Sequence, residues 1–296
     1  MGGQGPLSRG DLKRLLPWLV PLLLFLLCYV LVPVAGTLIS SLFRETTFLE
    51  SRWVFLRNYA GLMADAGFRE SVRFTLLFVL ASVPLEIVLG LVLALVINAP
   101  SRFRTLLRAT VLIPWAIPAV ISGRIWELIY NYEYGLATVL VTGLGWSAEP
   151  VNWLGSSAGA FAALVLADVW KTTPFVCILL LAGLQTIPPE VLQQSRIDRA
   201  GLLQRFFRIT LPLLKPVLLV ALVFRTIDAI RIFDMAYVIT GGGPGGSTTP
   251  LSLYAYRFFL SGDFGYGSAI SVVLFGAALG LSVIYVNLGA LRRELG

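Results

Sequence analysis

Six stretches of this chain, near 17–42, 72–98, 109–130, 158–184, 212–240 and 268–290, stay apolar long enough to cross a bilayer. A helix needs roughly 20 residues to span about 30 Å of hydrocarbon. Lipid offers no hydrogen bonds to the backbone, so each stretch has to satisfy its own peptide groups as a helix. The expected fold class is an all-α membrane protein with six transmembrane helices. The first span follows Arg9, Lys13 and Arg14, but it outruns a signal-peptide core and no clear cleavage site follows it, so it reads as a retained helix. Composition agrees, since 57% of residues are hydrophobic and 13% charged, whereas a soluble domain carries about 25% charge. A soluble enzyme and a disordered chain are both excluded. There is no histidine, and Cys28 and Cys177 lie in separate apolar runs. Histidine catalysis, histidine metal sites and a disulfide framework are therefore excluded, and both cysteines read as small buried hydrophobes.

The positive-inside rule gives the orientation. With both termini cytoplasmic, the inner segments hold Arg9, Lys13, Arg14, Arg102, Arg104, Arg108, Arg196, Arg199, Arg205, Arg208, Lys215, Arg292 and Arg293. The outer loops hold Arg44, Arg52, Arg57, Arg69 and Arg257. The net charge of +7 is thus mostly inner-face charge directed at anionic lipid or a cytoplasmic partner, and it does not call for nucleic acid. The outer segment 43–71 mixes aromatics with charges and reads as a short interfacial helix, or as an ordinary loop with a few anchoring aromatics.

The cytoplasmic loop 188–216 is too long for a simple connector. Pro188 and Pro189 open it, Gly201 interrupts it, and Pro212 and Pro216 lead into the next span. That punctuation predicts a short helix, a bend and a second amphipathic helix. The segment resembles the EAA loop of permease subunits in binding-protein-dependent ABC importers, the carbohydrate importers of maltose/trehalose type in particular. Gln193, Gln194 and Ser195 stand where E-A-A usually stands, followed by Asp198, Ala200, Gly201, Gln204, Phe206, Ile209, Leu211 and Pro212. Arg199 replaces the usual glycine, and a left-handed turn there costs a non-glycine about 1 kcal/mol or more. Either Arg199 pays that strain, or Gly201 takes over the bend; the alternative reason for an arginine here is an acidic rim on the ATPase for it to face.

The resemblance implies a type I ABC importer permease bundle in a bacterial or archaeal cell membrane. It implies docking to the ATPase through Glu190, Gln193, Gln194, Ser195, Asp198, Arg199, Ala200, Gly201, Gln204 and Phe206. The implied partners are a second homologous permease subunit, two cytoplasmic ATPase subunits and an extracytoplasmic solute-binding protein. ATP and magnesium would sit on the ATPases, with no cofactor on this chain. In this division 1–71 is the tail, first span and outer segment, 72–290 the transmembrane domain, and 291–296 a cytoplasmic tail.

The run 240–256 resembles the outer loop before the last span in such importers. Its glycines and Ser-Thr also suit a phosphate-binding loop, but no lysine follows the last glycine, so the nucleotide reading fails. The ATPase is then a separate subunit, and this chain is not an enzyme.

Ionisable residues at membrane depth usually face a cavity or a partner. Arg225, Asp228, Arg231 and Asp234 alternate in sign at every third position of the fifth span, so neighbours can pair along one helix. By family resemblance the sugar-contacting positions are Trp115, Ala119, Asp168, Lys171, Thr172 and Phe175, with Asp228, Ala229 and Ile232 in the fifth span. Carboxylates would bind hydroxyls and aromatic rings the C–H face of the sugar. Ion pairing of Asp168 with Lys171, and of Arg231 with Asp228 and Asp234, is the structural alternative; Glu86 could equally bridge helices and carries no assigned role. Pro84, Pro118 and Pro174 are expected to bend their helices. Trehalose or maltose fits the motif resemblance. Glycerol phosphate or a polyamine is the alternative cargo, and an ion-coupled secondary carrier the alternative class.

Overall fold

The computed structural model describes residues 9–99 and 102–294. The outer ends of the two expected tails, 1–8 and 295–296, lie outside the described residues. So do the side chains of Arg9, Lys13, Arg14, Arg104, Arg196, Arg292 and Arg293 from the charge census.

The first span runs through α1 (Arg9–Leu26), a wider π-type turn at Leu27–Leu31 and α2 (Val32–Ser40). It lies on the rim of the bundle, touching it through α2 against the last helix. Cys28 is exposed there and only Cys177 is buried, which corrects the expectation of two buried thiols. A lipid-facing thiol on an apolar helix needs no packing partner.

Beyond Ser40 the chain forms an antiparallel hairpin, β1 (Phe43–Thr46) and β2 (Leu49–Trp53), so the short helix expected in the outer segment begins only after it. Aromatic and threonine residues favour a pleated ribbon here. The turn is fixed by Thr47 N–H donating to the Gly262 carbonyl at 2.9 Å. Gly262 has φ +80, and a Cβ on it would lie 2.2 Å from Thr47 Oγ1, so a side chain is barred. Helix in the outer segment is confined to α3 (Arg57–Ala64) and the start of α4.

Helix α4 (Ala66–Asn98) is capped by Asp65, which accepts from Gly67 N–H at 2.9 Å. The third span is not one helix. It breaks into α5 (Arg104–Ala116) and α6 (Ala119–Ile129), inclined at 91°. Ile117 precedes Pro118, which drives it to an extended conformation at φ −71 and ψ 131, and Pro118 has no N–H to continue the ladder. The connection that follows contains α7 (Leu136–Gly143), unforeseen from the sequence. Helix α8 (Ser157–Gln185) is capped by Ser156 on Gly159 N–H at 3.1 Å.

The segment between the fourth and fifth spans holds α9 (Pro189–Ile197) and α10 (Leu202–Arg205), and the fifth span continues as α11 (Leu211–Ile230). A break at 231–233 separates α11 from α12 (Asp234–Ile239). Helices α13 (Leu251–Leu260) and α14 (Phe264–Glu294) complete the chain. Helix α4 packs along α8, with Gly90 in tight contact with Val176, where a Cβ would stand 2.6 Å away. Near the hairpin the core is built from Leu62, Phe68, Leu251 and Ile270. At the opposite end, beside α9, it is built from Ile97, Leu184, Ile187 and Leu214.

Candidate functional site

Arg225 on α11 gathers carboxylates from three helices. Its Nε donates to Glu86 Oε2 at 2.5 Å and its Nη2 to Glu86 Oε1 at 3.0 Å. Nη2 also reaches Asp168 Oδ2 at 3.3 Å, and Nη1 reaches Asp228 Oδ2 at 2.5 Å. The Arg225 and Glu86 side chains are 3% and 0% exposed, whereas Asp228 is 55% exposed. A buried charge without partners is expensive, and here one guanidinium meets α4, α8 and its own helix at once.

Two sequence expectations change at this site. Asp168 does not pair with Lys171: the Lys171 ammonium donates to the Ile117 carbonyl at 2.5 Å. That carbonyl faces the break between α5 and α6, where no helical N–H follows to donate to it. The i,i+3 charge row also ends early. Arg231 lies 3.9 Å from Asp228, but it stands past the end of α11, and Asp234 opens α12 instead of following on the same helix. Ser252 Oγ on α13 donates to the Ile232 carbonyl exposed by that break.

The aromatics form a second group. The Trp115 and Phe175 rings stack at 6.1 Å and 22°, and Phe224 meets Phe175 edge-on at 6.3 Å. Trp115 is 51% exposed, and Ala119 is half-buried at the start of α6. Thr172 turns inward and donates to the Asp168 carbonyl at 2.7 Å. Ala229 and Ile232 are buried in packing with Phe74, Phe78 and Met235. The structure thus groups Trp115 with Phe175 and Asp168 with Asp228, while Thr172, Ala229 and Ile232 face protein in this conformation.

At the end of the bundle away from the hairpin, α9 finishes with Arg199 at φ +56. Ala200 N–H donates to the Ser195 carbonyl at 3.0 Å and Asp198 N–H to the Gln194 carbonyl at 3.0 Å. The Ala200 bond, six residues to one across a left-handed residue, is a Schellman closure. Gly201 has φ −64, so Arg199 makes the bend and Gly201 does not take it over. Ser195 is buried and donates to the Leu192 carbonyl at 2.7 Å. Glu190, Gln193, Gln194, Asp198, Arg199, Gly201 and Gln204 are exposed, and Ala200 and Phe206 half-buried. A groove of about 480 Å³ runs along α9 between Glu190, Gln194, Asp198 and Ile209. Leu202, beside it, is 78% exposed.

Comparison with known proteins decides the family. The model of the binding-protein-dependent transport system inner membrane component matches residues 86–292. The chain belongs to that family. This permease is 51% identical over 277 residues to the trehalose/maltose transport system permease protein of Thermococcus litoralis, covering 93% of each chain. It is 39% identical to the sulfoquinovosyl glycerol transport system permease protein of Agrobacterium fabrum, covering 95% of this chain and 92% of that relative. Its fold matches a chain of a bacterial alginate ABC transporter, solved in complex with an alginate pentasaccharide-bound periplasmic protein. That match has a TM-score of 0.81 at 22% identity and covers 93% and 94% of the two chains. The permease is a multi-pass membrane protein of ABC-importer fold.

Glu86 is the group in this permease that sequence reasoning left without a role. Its signal was present: a lone carboxylate in the middle of an apolar span requires a cation, and Arg225 is the cation at comparable depth. What no sequence spacing supplied was the choice between Asp228, three residues away, and Glu86, 139 residues away.

Proposed function

We propose that this permease carries a neutral sugar, trehalose or maltose, inward as half of an ATP-driven pathway. In this reading a second homologous permease subunit completes the pathway, and two separate cytoplasmic ATPase subunits hold ATP and magnesium. A solute-binding protein delivers the sugar at the hairpin end. Both termini are cytoplasmic, and this chain binds no cofactor and catalyses no reaction.

The observation that carries the coupling role is the α9 turn. Its Schellman closure ends the helix sharply, and it leaves Glu190, Gln193, Gln194, Asp198 and Gly201 outward at the far end of the bundle from the hairpin. Exposed Ile197, Leu202 and Leu203 beside them form an apolar face suited to a protein cleft. ATPase closure would push on α9 and, through the Leu184, Ile187 and Leu214 packing, on α8 and α11.

The choice of cargo follows from charge. Arg225, the cation a phosphate would need, is already shared among three carboxylates. Lys171 lies in the field of Asp168, Asp228 and Asp234. With cations and carboxylates interleaved, the site favours hydroxyls over an anion or a polycation. Asp168 and Asp228 would accept from sugar hydroxyls, and the Trp115–Phe175 stack would lie against the ring. The test is uptake of labelled trehalose, maltose and glycerol phosphate by membranes holding the whole transporter. Sugar uptake lost in Asp168→Ala supports the reading. Glycerol phosphate as the preferred cargo, or a tagged chain that retains no ATPase, contradicts it.

A further inference from the structure

The β1–β2 hairpin sets two arginines against each other. Arg44 and Arg52 are direct cross-strand partners, and such partners project from the same face with Cβ atoms about 4.5–5.5 Å apart. Like charges placed so repel each other unless an anion joins them. Among the described residues neither guanidinium has a carboxylate within 4.0 Å, although Glu45 and Glu50 belong to the same hairpin. Both arginines are exposed.

Depth identifies the anion. Phe43 follows closely on Ser40, the end of a span of 24 apolar residues. At about 1.5 Å per residue that span is longer than about 30 Å of hydrocarbon, so the hairpin emerges at headgroup level. Phe48 at its tip is 90% exposed, and Leu49, Trp53 and Phe55 are exposed around it. Water does not favour such a surface, whereas the membrane interface collects aromatics and arginines. The hairpin is held in place on the bundle by Thr47 on Gly262 and by Asn58 Nδ2, which donates to the Ser41 and Phe43 carbonyls at 2.8 and 2.9 Å.

We propose that the hairpin is a phospholipid-binding site: Arg44 and Arg52 together hold a lipid phosphate while Phe48 and Trp53 sit in the interfacial layer. Each guanidinium presents a fork of N–H donors matched to phosphate oxygens, so two forks facing one way make a cradle for one phosphate. The lipid would then pin the hairpin, and with it the α2–α14 rim, to the membrane face opposite the coupling helix. An acidic patch on a protein partner would satisfy the arginines but would leave the interfacial aromatics unexplained.

The test is native mass spectrometry of the purified full-length chain titrated with phosphatidylglycerol. Wild type, Arg44→Gln/Arg52→Gln and Glu50→Gln are compared, with thermal unfolding as the control for folding. The double variant should unfold as wild type does and bind its most tightly retained lipid about tenfold more weakly or worse. Glu50→Gln, which removes a nearby carboxylate, should retain lipid at least as well as wild type. Unchanged lipid retention in the double variant overturns the proposal. Displacement of the lipid by millimolar inorganic phosphate overturns it too, because the cradle would then be a free-anion site. Loss of solute-binding-protein capture with lipid retention intact would make the arginines a protein contact, and overturns it as well.

Discussion

Arg225 and Glu86 are joined by two hydrogen bonds at 2.5 and 3.0 Å, tying α11 to α4 with neither side chain more than 3% exposed. Removing one partner of a buried pair costs about 3–5 kcal/mol because the other charge is stranded. Arg225→Met would strand the buried carboxylates of Glu86 and Asp168, whereas Glu86→Gln leaves Arg225 with Asp168 and Asp228. Thermal unfolding in detergent should therefore rank wild type above Glu86→Gln and Glu86→Gln above Arg225→Met. An Arg225→Met protein as stable as wild type would show that the cluster does not hold the helices together.

Lys171 satisfies the carbonyl freed at the break in the third span. Lys171→Met leaves that oxygen without its donor, which costs about 1–3 kcal/mol. Lys171→Gln, which keeps a donor, should recover part of the loss. The same unfolding assay checks the order.

Asp65 binds the hairpin end together. It accepts from Tyr254 at 2.7 Å and Tyr266 at 3.1 Å while capping α4. Burial alone would raise its pKa, but the tyrosine hydroxyls and the Gly67 and Phe68 backbone outweigh burial and hold the carboxyl below its ordinary value. A carboxyl depressed in the folded state stabilises above its unfolded pKa of about 3.9, and that stabilisation fades as pH falls through the folded value. Asp65→Asn should cost about 1 kcal/mol at neutral pH and progressively less below about pH 4. A cost that is the same at both pH values would rule out the ionised form as the stabilising one.

Gly201 separates packing from partner contact. Its φ is −64, and a Cβ there would meet nothing within 4 Å. Gly201→Ala should leave the stability of the chain within about 0.5 kcal/mol of wild type. Gly201→Asp should be equally stable yet lose ATPase retention on affinity purification. Arg199 carries the left-handed turn instead, so Arg199→Gly should keep the fold and Arg199→Val should weaken it by about 1–2 kcal/mol.

Six spans, their order and the short helix, bend and second helix between the fourth and fifth spans were legible because bilayer thickness and helix punctuation act locally on the sequence. Arg199 in place of glycine was legible as a strained position, though the choice between it and Gly201 needed the backbone. The hairpin was not legible, because its pairing depends on Gly262, far away in the chain. The third span looked continuous by hydropathy, which does not register that Ile117 before Pro118 turns the helix by 91°. Asp168, Trp115 and Phe175 could be singled out, but the Arg225 link that ties Asp168 to Glu86 came from tertiary packing. Thr172, Ala229 and Ile232, singled out by resemblance, turn their side chains toward protein.

In the proposed function, ATP hydrolysed by separate subunits drives sugar through this permease. Uptake of labelled trehalose and maltose into proteoliposomes holding the purified complex, with ATP supplied on the ATPase side, tests it most directly. Accumulation should require ATP and the solute-binding protein, and should vanish in Asp168→Ala while the ATPases stay bound. Accumulation without ATP under a proton or sodium gradient would contradict the account.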